Sequence, residues 1–188
     1  MSLAALEGRD TSAGPLRVAE LKRGRFPEEE DAVLDAGGRD VARVKHFAGR
    51  PSAGVKPWIE ARFDGDDALT PELVRLLADL LPPGGYLMVG YGNDETERAL
   101  KRRVPPAASP LGKALFDAGC TWFKDWYYPE GWMEGGMKLQ GNKPVSEEAR
   151  AANLASLRTE LEAWLARAHG DDELVERARA RAREILAG

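Results

Sequence analysis

The chain contains few of the residues that cross-link a protein or bind metal. Its 188 residues include one cysteine, Cys120, and two histidines, so an internal disulfide is excluded and no metal site is expected. No apolar run approaches the roughly 20 residues that span a bilayer, and no signal-peptide pattern opens the chain. We therefore expect a cytoplasmic protein with no membrane partner.

Clustered positive charge is also missing. The 27 lysines and arginines are spread along the chain and are outnumbered by 31 acids, giving a net charge of −4. A nucleic-acid partner is not expected, because binding the phosphate backbone needs a basic patch. The apolar fraction of 43% and the length are typical of a soluble globular protein with a single domain. The partner that we expect is a small-molecule substrate.

The amino-terminal third is rich in short alternating segments. Residues 1–15 have little periodicity and are predicted to form a flexible arm or one short helix. Pro27–Asp31 (PEEED) is predicted to be a charged surface turn. Four strands are predicted from apolar residues at a period of two: Leu16–Leu21, Ala32–Ala36, Val41–Phe47 and Trp58–Phe63. The short glycine-led connection at residues 37–40 is typical of a hairpin, so this region is predicted to be an antiparallel meander.

A helix and a buried strand follow. Thr70-Pro71-Glu72 is a typical helix start, and leucines at helical spacing follow it. Tyr86–Tyr91 is almost continuously apolar, which predicts a strand with buried faces and a parallel neighbour. A short charged helix, Glu95–Arg102, comes next.

The most distinctive stretch is Ser109–Gln140, which holds seven of the fourteen aromatic residues. It predicts a helix over Pro110–Ala118 and strands over Cys120–Tyr128 and Trp132–Gln140. Residues 16–144 thus form an α/β domain with a mixed sheet of six or seven strands. Residues 145–188 are predicted to form two helices, begun by Ser146 and Asp171. This pair would pack on the sheet or against a second copy of the chain, the latter giving a homodimer.

Two enzyme superfamilies have a similar order of elements. Leu80–Gly85 (LLPPGG) and Phe116–Gly119 (FDAG) resemble the carboxyl-terminal half of class I methyltransferases. Such enzymes hold adenosylmethionine at a glycine-rich turn after an early strand. Nothing before residue 70 provides that turn.

Residues 32–140 more closely resemble the GCN5-related N-acetyltransferase superfamily, whose order is a meander, a helix, a strand, a helix and two closing strands. Ser109–Phe116 has the spacing of the first eight positions of that superfamily's NxxAxxLYxxxGF pattern, with Gly112 in place of Ala and Phe116 in place of the Tyr that donates a proton, and Gly119-Cys120 follow one residue earlier than the Gly-Phe of the pattern. The resemblance implies acetyl-CoA or another acyl-CoA as cofactor. Its pyrophosphate motif is replaced by the acidic segment Asp64–Thr70.

The sequence of residues 80–144 resembles a narrower family, domain of unknown function 1122, in three segments: PPGGYLMV, SPLG and AGCTWFKDWYYPEGWMEGGMKLQG. That resemblance implies an acyltransferase-like fold and carries no established activity.

Three groups of polar residues are candidates for a site. Lys124 and Asp125 occupy opposite faces of the aromatic strand, so one of them is expected to be buried, as a structural ion pair or as a functional group. Glu134 and Lys138 share one face of the last strand, near Glu130. That face is either the wet side of an edge strand or a cleft in which Glu134 acts as a general base.

The third group follows the buried strand at its carboxyl end, where ligands bind in open α/β sheets. Its members are Tyr91, Asp94, Glu95 and Arg98. A polar turn leading into a helix explains the same pattern. Glu95 is a second candidate base, and Tyr127 or Tyr128 would replace the missing proton donor. Cys120 has apolar neighbours typical of packing.

Three functions fit these observations. The first is acyl transfer from acyl-CoA to an amine, with Glu134 or Glu95 as base. The second is a non-catalytic binding or oligomerisation module on the same fold. The third is an adenosylmethionine-dependent methyltransferase.

Overall fold

One mixed sheet of eight strands forms the centre of the protein. A computed structural model describes residues 2–63, 69–91, 95–128, 136–168 and 172–188. The strands are β1 (Asp10–Thr11), β2 (Gly14–Arg23), β3 (Glu29–Ala36), β4 (Arg39–Phe47), β5 (Trp58–Phe63), β6 (Tyr86–Tyr91), β7 (Trp122–Tyr128) and β8 (Gly136–Asn142). The described helices are α1 (Thr70–Asp79), α2 (Glu95–Lys101), α3 (Pro110–Asp117), α4 (Glu147–Arg167) and α5 (Glu173–Ala187), with short 3₁₀ helices at Leu3–Leu6, Pro51–Ala53 and Pro106–Ala108.

The predicted meander is confirmed. The sheet order is β1-β2-β3-β4-β5-β6-β8-β7, and each strand from β1 to β4 is antiparallel to the next. The surface turn predicted at Pro27–Asp31 is wrong in its second half. Glu29, Glu30 and Asp31 belong to β3, because their backbones pair with β4 and, for Glu30 and Asp31, with β2 as well.

The predicted parallel neighbour of the buried strand is confirmed too. Helix α1 carries the chain from β5 to β6, which pair in parallel from Trp58↔Tyr86 to Arg62↔Gly90. Between β2 and β5, where every residue is described, there is no α-helix. The resemblance to class I methyltransferases is therefore wrong at the level of fold, because those enzymes place helices between their early strands.

The last two strands do not pair in the order of the chain. Strand β8 lies between β6 and β7, antiparallel to both, and β7 pairs only with β8 among the described strands. Of the two alternatives for the face of β8, the wet side of an edge strand is wrong, since the edge is β7. This exchange of positions decides which charged residues of the two strands are buried.

Helices α1 and α3 pack on one face of the sheet and form the main core with it. On that face Ile59, Ala61, Leu87, Val89 and Leu139 are completely buried. These residues alternate along their strands with Glu60, Arg62, Met88, Gly90, Lys138 and Gln140, which point to the opposite face. The second face is therefore where charged side chains of the sheet collect.

Of the two forms predicted for residues 1–15, Leu3–Leu6 take the short helix. It is a 3₁₀ helix capped by Ser2, and its Leu3 and Leu6 are 0% and 1% exposed within the main core. The carboxylate of Glu30 accepts hydrogen bonds from the Leu3 amide (2.7 Å) and the Ser2 hydroxyl (2.6 Å). Burial of these two leucines anchors the segment on the main core, although the sequence around them has no periodicity.

Substitution of Leu6 by alanine is accordingly expected to lower the free energy of unfolding by about 3 kcal/mol, through lost transfer energy and the cavity left behind. Urea unfolding followed by circular dichroism measures it. Leu21→Ala is the matched control, since Leu21 is 45% exposed on β2. Equal effects of the two substitutions would show that the segment does not dock.

The predicted pair of carboxyl-terminal helices is confirmed, and it packs within its own chain. Leu157 and Leu161 of α4 form a second core with Ala178 and Ala182 of α5 and with the 3₁₀ helix Pro106–Ala108. The Ser146 hydroxyl caps α4 by accepting from the Ala149 amide at 3.1 Å. Helix α5 is capped by Asp172, and Asp171 lies outside the described residues.

Candidate functional site

A lysine and a glutamate meet on the second face of the sheet. Lys138 of β8 is 1% exposed and Glu60 of β5 is 8% exposed, and the Lys138 Nζ donates a short hydrogen bond to the Glu60 Oε1. The side chains cross β6, which lies between their strands. Burying two charges is tolerated when they pair with good geometry.

Gly90 of β6 makes this contact sterically possible. It lies between Arg62 of β5 and Lys138 of β8 in the register of the three strands. A side chain at this position would enter the space between them, since an added Cβ would lie 3.2 Å from the Arg62 Cγ. The missing side chain leaves room over β6 for the side chain of Arg62, whose Nε would lie 3.8 Å from that Cβ.

A groove of about 520 Å³ extends from Glu60 across β2–β5 on the same face. Its charged lining comprises Glu20, Lys22, Asp31, Asp40, Arg43, Lys45, Glu60 and Arg62. The volume is within the range of small-molecule sites, roughly 300–1,000 Å³. Acids and bases are equal in number, so the groove is polar without a strong net charge.

The aromatic strand borders the pair on its other side. Trp126 of β7 is opposite Lys138, and its Nε1 donates to the Gln140 Oε1 at 2.8 Å. The Lys124 Nζ lies 3.8 Å from the centre of the Trp126 ring. This arrangement gives the face an aromatic wall beside the buried ion pair.

Lys124 and Asp125 do not behave as predicted. Both are exposed, because β7 is the edge strand and solvent reaches both of its faces. Asp125 instead lines a second cavity of about 320 Å³ with Glu160, Trp164 and Arg167 of α4. The buried charge expected on β7 is found one strand inward, at Lys138.

The tyrosine candidates meet at one end of the sheet. Tyr91 of β6 and Tyr127 of β7 both pair with Met137 of β8, and Tyr128 pairs with Gly136. Only the backbones of these tyrosines are described. Asp94, Glu130 and Glu134 lie outside the described residues, so their proposed roles stay predictions.

Glu95 is held by the carboxyl-terminal helix. Its Oε1 lies 2.9 Å from the Arg181 Nη2 and its Oε2 lies 3.2 Å from the Arg177 Nε. Burial raises the pKa of Glu95, but the hydrogen bonds from Arg181 and Arg177 outweigh burial and lower the pKa below its ordinary value of 4.5. A lowered pKa does not favour the predicted role as a base, while Arg98 on the same helix is exposed.

This contact predicts a pH dependence of stability. Because the pKa of Glu95 is lowered in the folded state, its contribution is complete well above pH 4.5 and is lost as pH falls through the folded pKa. Glu95→Gln should thus destabilise the protein at pH 7, and the difference from wild type should shrink below about pH 4.5. Urea unfolding at several pH values measures it. Glu162→Gln on the exposed side of α4 is the control, and a pH-independent difference for Glu95→Gln contradicts the assignment.

Cys120 is a packing residue, as its neighbours in the sequence indicate. It is fully buried beneath α3, and burial raises the pKa of its thiol to about 12. A thiol with that pKa supplies almost no thiolate at neutral pH. Phe116, which stands where the acetyltransferase pattern has tyrosine, packs against the second core.

The three groups of candidate residues that the sequence indicated did not include Glu60, Arg43 or Arg62. Glu60 and Lys138 are 78 residues apart, and nothing near either residue indicates the other. One signal was available, because Glu60 and Arg62 alternate with core residues on a strand whose neighbours on both sides are strands. Charges in the middle of such an interior strand need partners on the same face.

The described part of the chain contains no helix long and apolar enough to cross a membrane. Nor do the histidines, cysteine, aspartates and glutamates of the described ranges form a group of three that could hold a metal ion.

The fold and the site together define an α/β protein with a mixed sheet and a charged pair buried on one face. The chain belongs to the family described as protein of unknown function (DUF1122), which matches residues 12–168 and confirms the resemblance seen in the sequence. It is similar to the crystal structure of a protein of unknown function from Aquifex aeolicus VF5, with 33% identity and a TM-score of 0.79 over 95% of this chain and 92% of that chain. The comparison with curated proteins finds no match.

Proposed function

We propose that the protein is an acyltransferase-like enzyme that transfers an acyl group from an acyl-CoA to an amine on the second face of the sheet. The observation that carries the proposal is Glu60, a carboxylate that lines the groove while Lys138 holds one of its oxygens. A fixed carboxylate at the floor of a cleft can accept a proton from an amine.

The order of elements supports this proposal. An antiparallel meander, a helix, a strand parallel to its neighbour, two further helices and two closing strands follow one another along the chain. Apart from α2 as an additional helix, this is the order on which the resemblance to the GCN5-related N-acetyltransferases rests. The segment that corresponds to their pyrophosphate motif lies mostly outside the described residues, which begin again at Leu69.

The chemistry needs one proton acceptor and one activated acyl group. The acyl-CoA supplies a thioester, and the amine nitrogen forms a bond to its carbonyl carbon as the carbon–sulfur bond breaks. Glu60 accepts the proton that the amine loses, and the departing thiolate finally takes up that proton. Lys138 is a positioning residue, because it fixes the carboxylate without touching the amine.

A second function, a non-catalytic binding module, is favoured by Phe116. The tyrosine that the acetyltransferase resemblance implies is replaced by a residue without a proton to donate, and its side chain packs against the carboxyl-terminal helices. Thermal unfolding in the presence of acetyl-CoA separates binding from no binding. Release of free thiol on adding a mixture of amines separates the enzyme from the module.

If the proposal is correct, Glu60→Gln should slow thiol release by about 100-fold or more, since general acid–base catalysis typically contributes that much. Glutamine keeps an acceptor for Lys138, and unfolding curves check that the variant is folded. Glu20→Gln is the control, as Glu20 lines the same groove but is exposed and bound to Lys22 at 2.8 Å. Full activity of Glu60→Gln excludes Glu60 as the base and leaves Glu134→Gln as the next variant.

A further inference from the structure

The second cavity, which Asp125 lines, combines apolar and charged residues. Its volume of about 320 Å³ is at the lower end of small-molecule sites. Trp164, Pro105 and Pro106 supply apolar surface, and the charged side chains are those of Arg103, Asp125, Glu160 and Arg167. By alternation along β7, Asp125 is on the face opposite Trp126, so this cavity and the groove at Glu60 are on different faces of the sheet.

The four charged side chains of the cavity take no part in holding the fold together. Within the described part of the chain, none of them makes a hydrogen bond or an ion pair with another residue. All four are open to solvent, so a ligand can reach them. Unpaired charges are ordinary at a surface, but two further features distinguish these: their order along α4 and the backbone of Arg103.

The charges of α4 are arranged along one side of the helix. Glu160, Trp164 and Arg167 are four and three residues apart, which places the indole between the carboxylate and the guanidinium group. Seven residues of helix rise about 10.5 Å. A hydrogen bond of about 2.8 Å at each end leaves roughly 5 Å for a ligand that lies along the helix over the indole. The matching ligand has an ammonium group at one end, a carboxylate at the other and a short apolar chain between them.

The Glu160 end of the cavity suits a cation. Burial raises the pKa of the Glu160 carboxyl above its ordinary value of 4.5, because neighbouring protein atoms remove part of its hydration. Among the described residues no cation lies over the Trp164 ring, whose face attracts positive charge. An ammonium group bound here would compensate the carboxylate and contact the indole.

Arg103 extends into the cavity from a strained position. It is the only non-glycine residue with a positive φ, 58°, among the described residues. After the end of α2 its amide donates to the Leu100 carbonyl at 2.9 Å, and the Val104 amide donates to the Ala99 carbonyl at 3.1 Å. Helices that end with these two bonds usually have glycine at this position, because a side chain strains the left-handed backbone. Strained residues cluster at ligand sites, which indicates a partner for the Arg103 guanidinium outside the chain.

We propose that the second cavity binds a free short-chain ω-amino acid, with its ammonium group at Glu160 and Asp125, its methylene chain on Trp164 and its carboxylate at Arg167 and Arg103. The site does not depend on the proposed acyl transfer, since none of its residues lines the groove. Binding involves no covalent step, and its failure would leave the reaction at Glu60 untouched.

The first experiment measures binding to the full chain by calorimetry, with ω-amino acids of one to about seven methylene groups. Affinity should be highest at about three to five methylene groups, the length that fits the space between the two ends. The alkylamine and the fatty acid with the same chain should each bind about ten-fold or more weakly, because each leaves one charged end unmatched. Affinity that rises steadily with chain length, or no binding at millimolar concentration, would overturn the proposal.

Charge variants test which end of the ligand lies where. Glu160→Gln should weaken the ω-amino acid and the alkylamine about ten-fold and leave the fatty acid unchanged, whereas Arg167→Gln should weaken the ω-amino acid and the fatty acid and leave the alkylamine unchanged. Glu162→Gln and Arg158→Gln remove the same charges from the exposed side of α4 and should change none of the three. The orientation is wrong if both cavity variants weaken the same truncated ligand.

Arg103→Gly separates a ligand role from a structural one. Relief of the strained backbone should raise Tm by about 2 °C or more, while loss of the guanidinium should weaken the ω-amino acid about ten-fold. A purely structural arginine gives the first effect without the second. A variant that is stabilised and binds as tightly as wild type would therefore overturn the assignment of Arg103 to the site.

Discussion

Replacing Lys138 by methionine is expected to lower the free energy of unfolding by about 3–5 kcal/mol, the cost typical of breaking a buried ion pair by removing one partner. Methionine fills most of the volume of the lysine stem, so the loss is not a cavity effect. What remains is the Glu60 carboxylate, 8% exposed on the floor of the groove and without the ammonium group that compensates its lost hydration. Urea unfolding at pH 7, followed by both fluorescence and circular dichroism, measures the change and checks that the transition is two-state.

The double variant Glu60→Leu/Lys138→Met distinguishes a charge effect from a packing effect. With both charges gone, the protein should recover most of the lost stability, because an apolar pair of similar volume is often neutral or better than a buried ion pair. Lys45→Met is the control for removing a positive charge from the same face, since Lys45 is exposed and opposite Glu60. A cost below about 1 kcal/mol for Lys138→Met, the range of exposed pairs, would mean that water reaches the pair.

Most of the secondary structure could be predicted because its signals are local. Both ends of β5, Trp58–Phe63, were predicted correctly. Apolar and charged residues alternate along this segment, and Pro57 and Gly65 flank it. Strand β6 was found from its apolar run, and its parallel neighbour followed from the helix before it. The cap at Ser146 needed only the hydroxyl and the first turn that follows it.

The order of the last two strands could not be predicted in this way. An alternating pattern tells which residues of a strand share a face, but not which strand will lie beside it. Chain order placed Lys124 and Asp125 within the sheet, so that one of them should be buried, and it allowed Lys138 a place on the wet side of an edge strand. The insertion of β8 between β6 and β7 instead leaves both Lys124 and Asp125 exposed on the edge strand and buries Lys138.

Of the candidate site the sequence singled out Lys138 and missed Glu60, for the same reason. Glu60, Arg62 and Lys138 are brought together by pairings of β5 with β6 and of β6 with β8, each between segments far apart in the chain. The sequence instead drew attention to Glu134 and Glu95, which lie next to glycines, a turn and aromatic residues. Residues close in the chain are easy to group by reading, whereas a site on a sheet face is assembled by register.

A second large effect is expected where α3 passes over the 3₁₀ helix Pro106–Ala108. Gly112 is the third residue of α3, and an added Cβ would lie 1.8 Å from the Pro106 carbonyl oxygen and 2.9 Å from the Ala107 Cα. These atoms belong to the backbone and cannot rotate away. The acetyltransferase pattern has alanine at this position, so the glycine marks a closer approach of the two segments in this chain.

Gly112→Ala is therefore expected to cost about 3 kcal/mol, near the upper end of overpacking effects, although alanine is favoured over glycine by about 1 kcal/mol in a helix. The displaced 3₁₀ helix also carries the Ala108 carbonyl that accepts a hydrogen bond from the Arg181 Nε at 2.7 Å. Displacing the 3₁₀ helix should weaken this hydrogen bond and thereby the packing of α5. Hydrogen exchange of the α5 amides should then be faster than in wild type.

The reverse exchange on the same helix is the matched control. Ala114→Gly removes a buried methyl group and lowers helix propensity, which together cost about 1–2 kcal/mol without any clash. If helix propensity alone decided the result, Gly112→Ala would stabilise the protein and Ala114→Gly would destabilise it. If the backbone contact decides it, Gly112→Ala lowers the free energy of unfolding by more than Ala114→Gly does. A stabilised Gly112→Ala variant would show that α3 and the 3₁₀ helix are further apart than the structure places them, and that α5 does not depend on this contact for its position.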